Sequence, residues 1–147
     1  MRHALLAILL VAAAETAALA CSCIRGPLEP AERQRIAREV ANRAVALVEV
    51  EAVSAFDPRR GRGERLRVRR TLAGRAPAMV TAERLRQPSS ASCDIEFTPG
   101  QRATVILYPP EGRAAAGVYA LSASCTTHLL ADPPFRAAVV QAMQRRR

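Results

Sequence analysis

The sequence predicts a mainly β fold: a small closed or nearly closed barrel of five short strands with flanking helices. Three observations carry that expectation. Five short apolar or alternating segments recur between residues 43 and 123, each bounded by Gly, Pro or polar turn residues. Helical spacing of apolar residues appears only outside them, before the first and after the last. Closure removes exposed strand edges, so a sheet this small gains by curling on itself. With two tyrosines, three phenylalanines and no tryptophan, its core must be filled by Val, Leu, Ile and Ala. Such a core is thin, which raises the value of covalent staples.

The chain starts with a stretch of different character. Arg2 precedes an apolar run from Ala4 to Ala14, and Glu15-Thr16 leads to the small-residue end Ala18-Leu19-Ala20. That is the three-part layout of a secretory signal peptide over residues 1–20, and the run is too short for a bilayer, which needs about 20 residues. Residues 21–147 are then one exported domain with no membrane span, secreted or periplasmic, starting on Cys21. Two competing readings are an uncleaved anchor and a lipoprotein acylated on Cys21. The second is opposed by Ala18, where leucine is usual, and by the odd number of thiols it would leave in an oxidising compartment. The net charge of +9 comes entirely from arginine, for the chain has no lysine. That bias reads as coding preference, although the positive field still attracts polyanions.

Along the mature chain, Ile24-Arg25-Gly26-Pro27 is a breaker cluster. Pro30 sits where a first helical turn tolerates proline, and Ile36, Ala37, Val40, Ala41 and Ala44 share a face, predicting a helix over 30–42. The first strand falls within Arg43 to Ala55, with Glu49 and Glu51 on one face and Val48, Val50 and Ala52 on the other. A basic turn-rich loop over 57–63 follows. Glu64 to Leu72 alternates, Leu66 and Val68 inward and Arg65, Arg67 and Arg69 outward, and Ala78 to Leu85 is a shorter third strand. Pro99-Gly100 turns into a fourth strand, Arg102 to Tyr108, and Val118 to Ala123 is the fifth. Asp132 caps a final helix whose apolar face is Phe135, Ala138, Val139, Ala142 and Met143. Arginines 145–147 stand at its negative end.

Four cysteines allow three pairings. A Cys21–Cys23 bond would close a very small strained ring. Two arrangements remain, Cys21–Cys93 with Cys23–Cys125, or the crossed pair. Side chains two apart on an extended segment point the same way, and Cys93 and Cys125 flank the fourth and fifth strands at one end, which favours the parallel scheme. Each loop is worth about 4 kcal/mol in the chain-entropy account. A four-thiolate zinc site is the competing chemistry, opposed by ligand spacing and by the oxidising compartment.

The start Cys21-Ser22-Cys23-Ile24, the segment Arg70-Thr71-Leu72-Ala73-Gly74, the block Ser92-Cys93-Asp94-Ile95-Glu96-Phe97-Thr98-Pro99-Gly100 and the stretch from Tyr119 to Cys125-Thr126-Thr127 together resemble netrin-like domains. Within that family the likeness is to the inhibitory domains of tissue inhibitors of metalloproteinases and to bacterial look-alikes. It runs from residue 21 to about residue 130. The resemblance implies an OB-type barrel and a non-enzymatic module. It also implies that the α-amine and carbonyl of Cys21 clamp the zinc of a target metalloprotease while Ser22 enters the pocket beside it. An α-amine with a pKa near 8 has a sizeable neutral fraction at neutral pH, and amine plus carbonyl close a chelate on an open zinc position.

No catalytic residues, cofactor or resident metal are expected. Ser124, His128 and Asp132 are spaced by four but read as a strand end, a surface loop and a helix cap, and His128 is the mature chain's single histidine. Glu49 with Glu51, and Asp94 with Glu96, read as solvated faces. The second functional class is a binder of acidic polysaccharide or other polyanions through Arg65, Arg67 and Arg69. Nucleic acid is not expected, because no aromatic interleaves with those arginines to stack bases.

Overall fold

A computed structural model describes residues 27–57, 63–83, 95–110 and 114–146. The expected leader, Cys21, Ser22, Cys23 and Cys93 lie outside the described residues, as do most of the basic loop and the end of the third expected strand. Eight elements follow in order: α1 (Pro30–Arg43), β1 (Ala46–Ala52), β2 (Arg65–Gly74), β3 (Met79–Ala82), β4 (Arg102–Tyr108), β5 (Val118–Leu121), α2 (Ser124–Leu129) and α3 (Pro133–Arg145).

The five strands close into a barrel in the order β1-β2-β3-β5-β4. β1 runs antiparallel to both β2 and β4, and β5 runs antiparallel to β4. The ring is completed by a parallel pairing of β3 with β5, Thr81 opposite Val118 and Ala82 opposite Tyr119. The sheet is therefore mixed, with three helices flanking it.

β1 is the axis of the fold. Its Ala46, Val48, Val50 and Ala52 point into the barrel with Leu66, Val80, Phe97, Val105 and Leu107. Leu47, on the opposite face, joins Ile106 and Ala73 in a second core beneath the helices, built on Ala37, Ala41, Phe135 and Val139. Two thin cores thus share strands β1 and β4, and each holds one phenylalanine. Glu49 and Glu51 are half-buried on the outward face, as their alternation with valine predicts.

The β1–β2 register slips twice, so that Leu72 and Arg69 are extra residues on β2. Each bulge bends its strand and shifts the alternation by one position. Leu66 and Val68 face inward as expected. Beyond the bulges, Leu72 and Ala73 have turned to the outer core, and the strand runs on to Gly74 where the sequence suggested an end at Leu72.

Three boundaries differ from the alternation pattern for identifiable reasons. β1 begins at Ala46 because α1 runs to Arg43 and Ala44 is its C-cap. β5 stops at Leu121, since the Ile106 N–H donates to the Ser122 side-chain oxygen at 3.1 Å, where a strand would offer a carbonyl. Residues 124–129 form a short helix where a loop was expected. α3 follows expectation: Asp132 accepts from the Phe135 N–H at 3.2 Å, and Phe135, Ala138, Val139 and Met143 are buried. Arg146, placed by the sequence at the negative end of its own helix, reaches across to α1 and donates to the carbonyls of Ala41 and Ala44.

Candidate functional site

The outward faces of β1 and β4 meet α2 around a cavity of about 650 Å³. The barrel contributes Glu49 from β1, Thr104 opposite it on β4, Arg102 opposite Glu51, and the bulge residue Arg69 from β2. Arg69 is the extra residue between the Glu49–Arg70 and Val50–Val68 pairs, and it lines the cavity from the outward face that the alternation of β2 predicts for it. α2 contributes Ser124, Thr127 and His128, with Ala131 just beyond. These positions are three and four apart, the spacing of one helical face. Ile95, at the start of the described segment before Phe97, completes the rim.

Charge is organised around Glu51. The Arg69 Nε lies 3.7 Å and the Arg102 Nε 3.5 Å from the same Glu51 carboxylate oxygen. Glu49, one pleat away, lines the cavity itself. The two glutamates that read as one solvated face therefore differ: Glu51 bridges two arginines and Glu49 faces the cleft. On the helix side, the Thr127 hydroxyl is 2.8 Å from that of Ser122, which anchors α2 to β4.

The structure brings Ser124 and His128 together on one helical face, a correction to the reading that put them on a strand end and a loop. Asp132 is not with them. Its carboxylate is turned to the Phe135 N–H as a helix cap, so the three do not form a relay. His128 is exposed. Among the described residues no three His, Cys, Asp or Glu side chains are grouped to hold a metal ion. Arg65, Arg67 and Arg69 are all exposed on β2, but only Arg69 reaches the cavity.

Cys125, next to Ser124 on α2, is disulfide-bonded. The pairing expected for Cys21, Cys23 and Cys93 lies outside the described residues, as do the expected zinc contacts Cys21 and Ser22, and Asp94. Sequence reasoning missed Arg102, Thr104 and Thr127. Thr127 could have been found by testing residues 124–131 for helical spacing; Arg102 and Thr104 depend on the β1–β4 register, which has no local signal.

The class defined so far is a five-stranded mixed β-barrel flanked by helices, with a cleft between its outer wall and α2. Among the described residues no helix is long and apolar enough to cross a membrane. Compared with known proteins, the chain matches no family model, no curated protein and no solved structure. The netrin-like resemblance thus rests on this chain's own residues.

Proposed function

We propose that the chain is an exported, non-enzymatic binding module on an OB-type barrel, and that it inhibits a zinc metalloprotease through a free N-terminal Cys21. Five-strand closure with flanking helices fits such a barrel. The observation that carries the reading is the rim of the cleft. Ile95, two residues after Cys93, and Ser124, next to the disulfide-bonded Cys125, line the same cavity. The described residues nearest in sequence to the two expected partner cysteines therefore line one cavity, which supports the parallel scheme. Two staples there would hold the chain start rigidly, and a rigid terminal amine and carbonyl lose little freedom on binding zinc. Ser22, between the staples, would enter the pocket next to the metal.

The test is inhibition of a panel of zinc metalloproteases by exported protein whose N-terminus has been sequenced. Inhibition is expected with Cys21 first and should disappear when one alanine precedes it. Equal inhibition by the extended form, or four titratable thiols in the denatured unreduced protein, overturns the mechanism.

A second reading, binding of acidic polysaccharide, has its own support. Arg65, Arg67 and Arg69 are exposed along β2, and Arg102 adds a fourth guanidinium across β1. Retention on heparin beyond that of a random protein of equal charge would favour it.

A further inference from the structure

On the far side of α1 from the Arg35 ion pairs, a second cavity of about 750 Å³ opens between α1, β2 and α3. Arg33, Arg70 and Arg136 line it from three different elements, joined by the amides of Gln34, Gln141 and Gln144. No aspartate or glutamate is among the described residues that line it. Among the described residues none of these three arginines makes an ion pair, whereas Arg35 is paired with Glu32 and Glu39, and Arg69 and Arg102 with Glu51.

Two of the guanidiniums are tethered to backbone carbonyls. Arg33 donates from Nη2 to the Leu28 carbonyl at 3.0 Å, and Arg136 from Nη1 to the Leu130 carbonyl at 3.5 Å. The Arg33 Nε is buried and has no hydrogen-bond partner. A buried cationic N–H without an acceptor is costly, so such a group in a native fold asks for one. Three arginines lining one cleft, one of them with a buried unused donor, and no acidic side chain among the described lining residues form an arrangement suited to a tetrahedral oxyanion bound by forked hydrogen bonds.

We infer that the α1/β2/α3 cleft binds a phosphate or sulfate group, with Arg33, Arg70 and Arg136 as its ligands. Its described lining shares no residue with the α2 cleft, and its test is independent of protease inhibition. The group is carried either by a small free phosphate or by a sulfated sugar.

Isothermal titration calorimetry of the full exported chain with inorganic pyrophosphate and with a sulfated disaccharide tests this. At least one probe should bind saturably, and the tighter one assigns the source. Arg70→Gln and Arg136→Gln should each weaken binding about tenfold, the loss of one charged hydrogen-bonding partner. Arg70 is exposed, so its variant folds even if Arg33 variants do not. Arg35→Gln, which removes the same charge from the ion-paired face of α1, should leave the affinity within twofold. Absence of saturable binding by both probes at millimolar concentration overturns the inference. So does equal weakening by the Arg35 and Arg70 substitutions, which would reduce the effect to net charge.

Discussion

The hydroxyl oxygens of Ser122 and Thr127 stand 2.8 Å apart, and through them α2 is fastened to the barrel. Ser122 is 3% exposed and exchanges two bonds with Ile106: its N–H donates to the Ile106 carbonyl at 3.0 Å and its Oγ accepts from the Ile106 N–H at 3.1 Å. Ser122→Ala leaves a buried backbone donor without an acceptor and should lower unfolding stability by about 1–3 kcal/mol. Thr127→Val removes only the hydroxyl pair and should cost about 1 kcal/mol. Urea denaturation of both variants checks the order; a smaller loss at Ser122 than at Thr127 would contradict it.

Gly74 ends β2 with φ at +79°, and a β-carbon there would run into the carbonyl oxygen of Val45. Gly117 also has positive φ, at +84°, but open space around it. Left-handed backbone costs a side chain about 1–2 kcal/mol, and overpacking against backbone adds about 1–3 kcal/mol more. Gly74→Ala should therefore be the more damaging of the two by at least the overpacking increment. Thermal melts of the paired variants measure the difference, and equal melting temperatures would show that the β1–β2 junction yields easily.

Both strand placements and their failures have physical reasons. The fourth strand, Arg102 to Tyr108, agrees to the residue, because Pro99-Gly100 bounds it on one side and Pro109 on the other. α1 and α3 were legible from proline at the first turn and apolar residues at three and four spacing. The bulges at Leu72 and Arg69 were not, since a period-two pattern cannot show that a partner strand has fewer residues. α2 has the sequence Ser-Cys-Thr-Thr-His-Leu, with no apolar stripe and no fully buried residue; Thr127, the disulfide-bonded Cys125 and the partly buried Leu129 hold it. Both cavities are juxtapositions of residues far apart in the chain: Arg33, Arg70 and Arg136 in one, Arg69, Arg102 and His128 in the other. Glu64, read as an ordinary strand residue, is 1% exposed, a burial nothing in its neighbours announces.

The ring of Tyr108 lies under the Arg43 guanidinium, 5.7 Å from carbon to centroid. Burial raises the phenol's pKa above its ordinary value, and the Arg43 charge works in the opposite direction by favouring the phenolate. A raised folded pKa means that the folded state holds the proton more tightly than the unfolded chain. The corresponding stability is present below about pH 10 and is lost as pH rises through the folded value. Tyr119→Phe leaves Tyr108 as the single tyrosine, and its tyrosinate absorbance should appear above the midpoint of a free tyrosine. Adding Arg43→Ala should move that midpoint higher still; a fall would show that the arginine does not act on the ring as a charge.

Glu51 decides how much of the β2 arginine face is available to an acidic polymer. Its side chain is 22% exposed and serves both Arg69 and Arg102, whose side chains are 50% and 74% exposed. Ion pairs this open contribute about 0–1 kcal/mol to stability, so Glu51→Gln should fold nearly as well as the parent. Its effect on the surface is larger, because two guanidiniums lose their shared counter-charge and stand beside Arg67, which faces Glu51 in the β1–β2 register. If this face binds acidic polysaccharide, Glu51→Gln should elute from heparin at higher salt than the parent. Glu39→Gln supplies the control: it makes the same change in net charge but removes the nearer of Arg35's two carboxylate partners on α1, away from the strands. A larger shift for Glu51 than for Glu39 locates binding on the β-face. Equal shifts would mean that heparin senses only the overall field of an arginine-rich chain, and the β2 arginines would then have no particular part in polyanion recognition.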